Sequence, residues 1–263
     1  MLAAAAKDIS LLFTAVYFGD IEAVHALVEN GCSLFAVNAS GKTPLFAAVE
    51  SDKIKMVEYL VEQGCMLDAV DKFKKTPMFA AVENGNIEIA KYLVEKGCII
   101  DAIDKFGNVP LFVAQRKGHA ALVKFFIENG SNVHYVDKAL QTIVFAAVAS
   151  GDVEMVKYLV GKGCKLDHVD KTQKTPMFGA VRSGGVGMVN YLAENGCAID
   201  HVDKYGSTPV FIAAKSDHIE MVKCLVSEGC NIKHARKAGQ TPLMAAIKAK
   251  STKVQEYLKA NGC

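Results

Sequence analysis

The 263-residue sequence has no tryptophan and only six prolines, and it carries almost no net charge, at +2. Near-neutrality removes the whole-protein field that would draw in nucleic acid or anionic lipid. No run approaches the roughly 18 consecutive apolar residues that a membrane span needs. The N-terminus reads Met1-Leu2, four alanines from Ala3 to Ala6, then Lys7-Asp8. It has no basic leader and no proper apolar stretch, so a secretory signal is not expected. Also missing are a glycine-rich phosphate loop opening a helix, an HExxH pair, and a Ser/His/Asp set standing outside the periodic positions described next. No catalytic residue, metal or cofactor is therefore expected. About half of the residues are apolar, ample for a core and unlike a disordered chain.

What the sequence does contain is a period. Gly-Cys stands at Gly31-Cys32, Gly64-Cys65, Gly97-Cys98, Gly163-Cys164, Gly196-Cys197, Gly229-Cys230 and Gly262-Cys263, in steps of 33 with Gly130-Ser131 filling the gap. Thr-Pro keeps the same phase at Thr43-Pro44, Thr76-Pro77, Thr175-Pro176, Thr208-Pro209 and Thr241-Pro242, degraded to Val109-Pro110 and Thr142-Ile143. An aromatic follows two residues after the proline slot, from Phe13 to Phe211, with Met244 last. Three markers in one phase divide the chain into repeats of about 6–38, 39–71, 72–104, 105–137, 138–170, 171–203, 204–236 and 237–263. Each repeat reads as two short helices. In the third, Thr76 suits an N-cap and Pro77 the first helical position. Gly85 ends that helix. Ile87, Ile89, Ala90, Leu93 and Val94 then predict a one-sided second helix to about Lys96. Neither helix buries its apolar face alone, so neighbours must stack.

The run Asp203-Lys204-Tyr205-Gly206-Ser207-Thr208-Pro209-Val210-Phe211, followed by Ala213-Ala214, Ile219 to Val226 and Gly229-Cys230, closely resembles the ankyrin repeat family. The resemblance covers about Ala6 to Cys263. Phe stands where the family has His after Thr-Pro, and Cys where it has Ala after Gly; both slots stay apolar. The resemblance implies one all-α solenoid domain over 1–263, made of eight helix-turn-helix repeats with projecting β-hairpin-like turns. It also implies a partner held on the concave side. Repeats one and eight read as caps, and repeat five, with Ile143 and Ser131 in degraded slots, as the weakest.

The period also sorts the candidate chemistry. Equivalent slots in adjacent repeats lie about one helix-packing distance apart, roughly 8–10 Å. That is too far for disulfides, which need Cα atoms within about 7 Å, or for a shared zinc at bonds of about 2.3 Å. The cysteines are expected to be reduced core thiols, which favours an intracellular compartment, cytoplasmic or nuclear. His168, His201 and His234 form a column read as solvated hairpin residues. The Asp of each Asp-Lys turn is read as bonding its own turn backbone. The Lys beside it, at Lys72, Lys105, Lys138, Lys171 and Lys204, points outward.

Candidate partner-binding residues are those that break the period. Phe73, Phe106 and Tyr205 place aromatics at turn tips, where exposure is costly without a use. The first-helix ends run from Glu50 and Glu83 to Arg116-Lys117, Arg182 and Lys215, a gradient that would orient a charged partner. The expected function is a non-enzymatic, monomeric scaffold holding a protein or peptide. One alternative is the targeting part of a larger enzyme, with Glu50, Asp52 and Glu83 receiving a basic tail. A less favoured one is a nucleic-acid or phosphate binder, against which the alternating Asp residues argue.

Overall fold

The computed structural model describes residues 2–263, with side chains from residue 9 onward. It has sixteen helices and no strand among the described residues. They come in pairs: α1 (Leu2–Phe18) and α2 (Ile21–Glu29), α3 (Pro44–Glu50) and α4 (Ile54–Glu62), α5 (Pro77–Asn84) and α6 (Ile87–Glu95), α7 (Pro110–Lys117) and α8 (Ala120–Glu128). The second four pairs are α9 (Ile143–Ala149) and α10 (Val153–Gly161), α11 (Pro176–Ser183) and α12 (Val186–Glu194), α13 (Pro209–Lys215) and α14 (Ile219–Ser227), α15 (Pro242–Lys248) and α16 (Thr252–Ala260). The chain divides into two compact units, Met1–Asn132 and Val133–Cys263. In each unit, first helices pack on first helices and second on second, repeat against repeat.

The local chemistry explains the pairs. Proline at N1 opens six of the eight first helices, where its missing N–H has no intrahelical partner to lose. Helix α1 has no proline to start it and is the longest, at 17 residues. After the first helix the chain turns through a left-handed residue: Gly85, Gly118 and Gly184 have φ of 73–77°. Asp20, Asn86 and Asp152 then cap the second helices by accepting the amide three residues on. The core is the inward side of both helix rows, for example Leu45, Val49, Val57 and Leu60 in repeat two, all fully buried.

One expectation needs correction. Thr43 and Thr241 do accept an amide three residues on. Thr76, however, makes no cap hydrogen bond, and the hydroxyls of Thr76, Thr142 and Thr208 are buried with no partner among the described residues. Threonine there acts as a β-branched spacer in extended backbone rather than as a cap. The second helix of repeat three ends at Glu95, with Lys96 as its C-cap.

Candidate partner-binding surface

Every projecting turn but the last is built by one side chain. The Oδ1 of Asp71 accepts the amides of Phe73 and Lys75. Asp104, Asp137, Asp170 and Asp203 repeat the pattern, and Asn38 takes the same part in the first turn. Burial pushes the Asp170 carboxyl up. Hydrogen bonds from the Thr172 hydroxyl, the amides of Lys174 and Thr172, and Gln141 outweigh burial and hold its pKa below the ordinary value. The turns are then tied tip to tip through the backbone. The amides of Lys72 and Lys105 donate to the carbonyls of Ser40 and Phe73 in the first unit. Those of Lys171, Lys204 and Lys237 donate to Ala139, Thr172 and Tyr205 in the second. This fixes the spacing of the side chains that stand on the tips.

Those tips carry the aromatics. Phe73 and Phe106 stack, with ring centroids 6.2 Å apart and planes at 23°. They remain 49% and 57% exposed. Tyr205, in the other unit, is 56% exposed, with the Lys204 ammonium 4.9 Å from its ring centroid. Stacking hides one face of each phenylalanine and leaves a rigid apolar platform outward. Lys72, Lys105, Lys138, Lys171 and Lys204 are all exposed.

The first-helix ends differ from the simple gradient. Glu50 pairs with Lys42 and Glu83 with Lys75, both at 2.5 Å. Asp52 accepts a hydrogen bond from the Asn86 amide. Glu50 and Glu83 are therefore held in local ion pairs and Asp52 in a hydrogen bond, rather than standing as free carboxylates. A lysine eight residues before each glutamate was the signal in the sequence. Arg116, Lys117, Arg182 and Lys215 stand exposed at the matching helix ends, where cations also complement the helix dipole.

The histidine column is a second correction. The Nε2 of His168, His201 and His234 reaches the carbonyls of Leu140, Gln173 and Gly206, 28 residues earlier, at 2.9, 2.9 and 3.0 Å. A carbonyl can only accept, so the proton sits on Nε2. Phe145 and Phe178 meet the rings of His168 and His201 edge-on. These histidines fasten one turn to the next. All eight cysteines are free thiols. Cys263 is half-buried and donates to the Ile232 carbonyl. Among the described residues, no group of three or more His, Cys, Asp or Glu side chains is placed to hold a metal ion. No described helix is long and apolar enough to cross a membrane.

A family described as ankyrin repeats (3 copies) matches residues 11–104, 63–137, 111–203 and 188–263, which together cover the chain from residue 11 to its last residue. The chain belongs to the ankyrin repeat family. Ankyrin repeats are generally protein–protein interaction modules, and proteins built of them are typically non-enzymatic binding scaffolds. No curated protein matches the chain.

Proposed function

We propose that this ankyrin repeat protein is a non-enzymatic scaffold that holds a protein or peptide against its turn tips and first-helix ends. The observation that carries the reading is the Phe73–Phe106 stack, held outward on turns locked by Asp71 and Asp104. Rigid aromatics lose little conformational freedom on docking and dominate interface energies. Tyr205 is the corresponding anchor in the second unit. Lys72 and Lys105 form the polar rim in the first unit and Lys138, Lys171 and Lys204 that in the second, with Lys204 already resting on the tyrosine ring. Arg116, Lys117, Arg182 and Lys215 supply orientation. Glu50 and Glu83 meet the partner as neutral pairs, which weakens the reading of a basic tail received there.

The test uses a partner first identified by affinity purification and mass spectrometry. The triple variant Phe73→Ala, Phe106→Ala and Tyr205→Ala should weaken its binding by at least about tenfold, as aromatic hot spots do. Unchanged affinity with an unchanged circular dichroism spectrum would remove these tips from the site.

A further inference from the structure

The turn-aspartate column ends in an exception. Position 236, where Asp is due, holds Arg. Among the described residues no side chain accepts the amides of Ala238 and Gln240, so this turn gives up the bonds that Asp203 makes to Tyr205 and Ser207. The guanidinium instead lies over the Phe211 ring, 5.0 Å from its centroid. Its Nε is buried and has no hydrogen-bond partner. A buried N–H left unpaired is costly unless something supplies an acceptor.

The surroundings specify that acceptor. Arg236 borders a cleft of about 270 Å³ walled by Phe211, Met244, Lys215 and Lys248, with no carboxylate in its lining. Neither lysine forms an ion pair among the described residues. Within the same unit, Lys174 and Arg182 flank a cleft of about 320 Å³ over Phe145 and Phe178, kept open by Ala149 and Gly179. The helix dipole explains one cation per helix end. It does not explain Arg236 or Lys174, which sit on the turn side. In repeats two and three the slots matching Lys174 and Arg182 hold the balanced pairs Lys42–Glu50 and Lys75–Glu83, and the slot matching Arg236 holds Asp71 and Asp104; Lys174 with Arg182 has no such balance.

We propose that the second unit binds an extended acidic peptide along its first-helix groove, with a carboxylate on Arg236 and further carboxylates one repeat apart. The spacing follows from geometry. One repeat step is roughly 8–10 Å, and three residues of extended chain span about 10 Å, so acidic residues should recur at every third position. Asp170, which lines the second cleft, sets the class of partner. A peptide can place a neutral residue opposite it, whereas a nucleic-acid strand brings a phosphate at every nucleotide. The inference rests on the scaffold reading and names the partner's chemistry.

Fluorescence anisotropy of the full chain with synthetic peptides tests it at physiological salt. A peptide with glutamate at every third position should bind about tenfold tighter than one of equal composition with its glutamates in one block. Arg236→Asp is the decisive variant. It restores the turn bonds, so the melting temperature should rise, while binding of the spaced peptide should fall by at least about tenfold. Lys215→Ala with Lys248→Ala should weaken the spaced peptide severalfold. Equal binding of the two peptides, unchanged binding by Arg236→Asp, or equally tight binding of oligo-deoxythymidine would overturn the proposal. Failure with the spaced peptide leaves the tip reading standing if the tip variants still lose their identified partner. If only the tip variants behave as wild type, the tip reading falls and the acidic-peptide groove remains.

Discussion

Lys250 follows the first helix of the last repeat with φ of 59°, in the slot that Gly85, Gly118 and Gly184 hold elsewhere. Gln173 takes the left-handed position of a turn, where Gly41, Gly107 and Gly206 stand in other repeats. A side chain there costs about 1 kcal/mol relative to glycine. Lys250→Gly and Gln173→Gly should each stabilise the chain by about 0.5–1 kcal/mol, net of the entropy glycine adds to the unfolded state. Urea denaturation measures this, and a lower midpoint would show that the side chains contribute more than the strain removes.

The thiols make a second prediction at this scale. Burial pushes Cys65 and Cys164 up to about 11. It pushes Cys98 and Cys230 up to about 12, with the Asp68 and Asp200 carboxylates adding to the rise. The ordinary value is 9.0. Below that pH the thiols are protonated in both folded and unfolded chains and the stability is fully present. Above it the unfolded chain loses protons that the folded chain keeps, so stability falls as pH rises from about 9 toward 12. At pH 8, iodoacetamide should label these four only after denaturation, as mass spectrometry of the modified peptides would show.

At the scale of the element, the Thr-Pro opening is half chemistry and half shape. The proline starts the helix, but the hydroxyls of Thr76, Thr142 and Thr208 are buried with no partner among the described residues. Val109 occupies the same slot in repeat four and is itself buried. Thr208→Val should therefore stabilise the chain by about 1 kcal/mol, because it removes an unsatisfied buried hydroxyl at constant shape. A loss of stability in thermal melts would mean that the hydroxyl has an acceptor. Sequence periodicity revealed the Thr-Pro pair but not the fate of the hydroxyl, because cap geometry depends on where the N3 amide points. The histidine column was visible too. Its bonds to carbonyls 28 residues earlier were not, since they connect one repeat's arm to another's turn.

For the whole molecule, stability in a repeat array is a sum of local terms and neighbour interfaces. Repeat five has Ile143 where six of the eight repeats have proline. Its Phe145 is only half-buried, whereas Phe46, Phe79, Phe112, Phe178 and Phe211 are buried. Hydrogen exchange followed by mass spectrometry should find α9 opening faster than α5 or α11. Equal protection across the three would place the weak point elsewhere.

The sequence by itself determined the repeat length, the helix pairs, the slots of the core and the turn aspartates. Each of these is set by residues within one 33-residue unit, and local propensity and periodicity act at that range. It also singled out Phe73, Phe106, Tyr205 and the basic helix ends, because they depart from the period. Only the tertiary structure decided how those departures pair. Phe73 finds Phe106, and Arg236 leaves its turn for the Phe211 ring. The physical reason is range. Charge and aromatic contacts depend on distances between side chains on separate turns and helices, and stacking sets those distances.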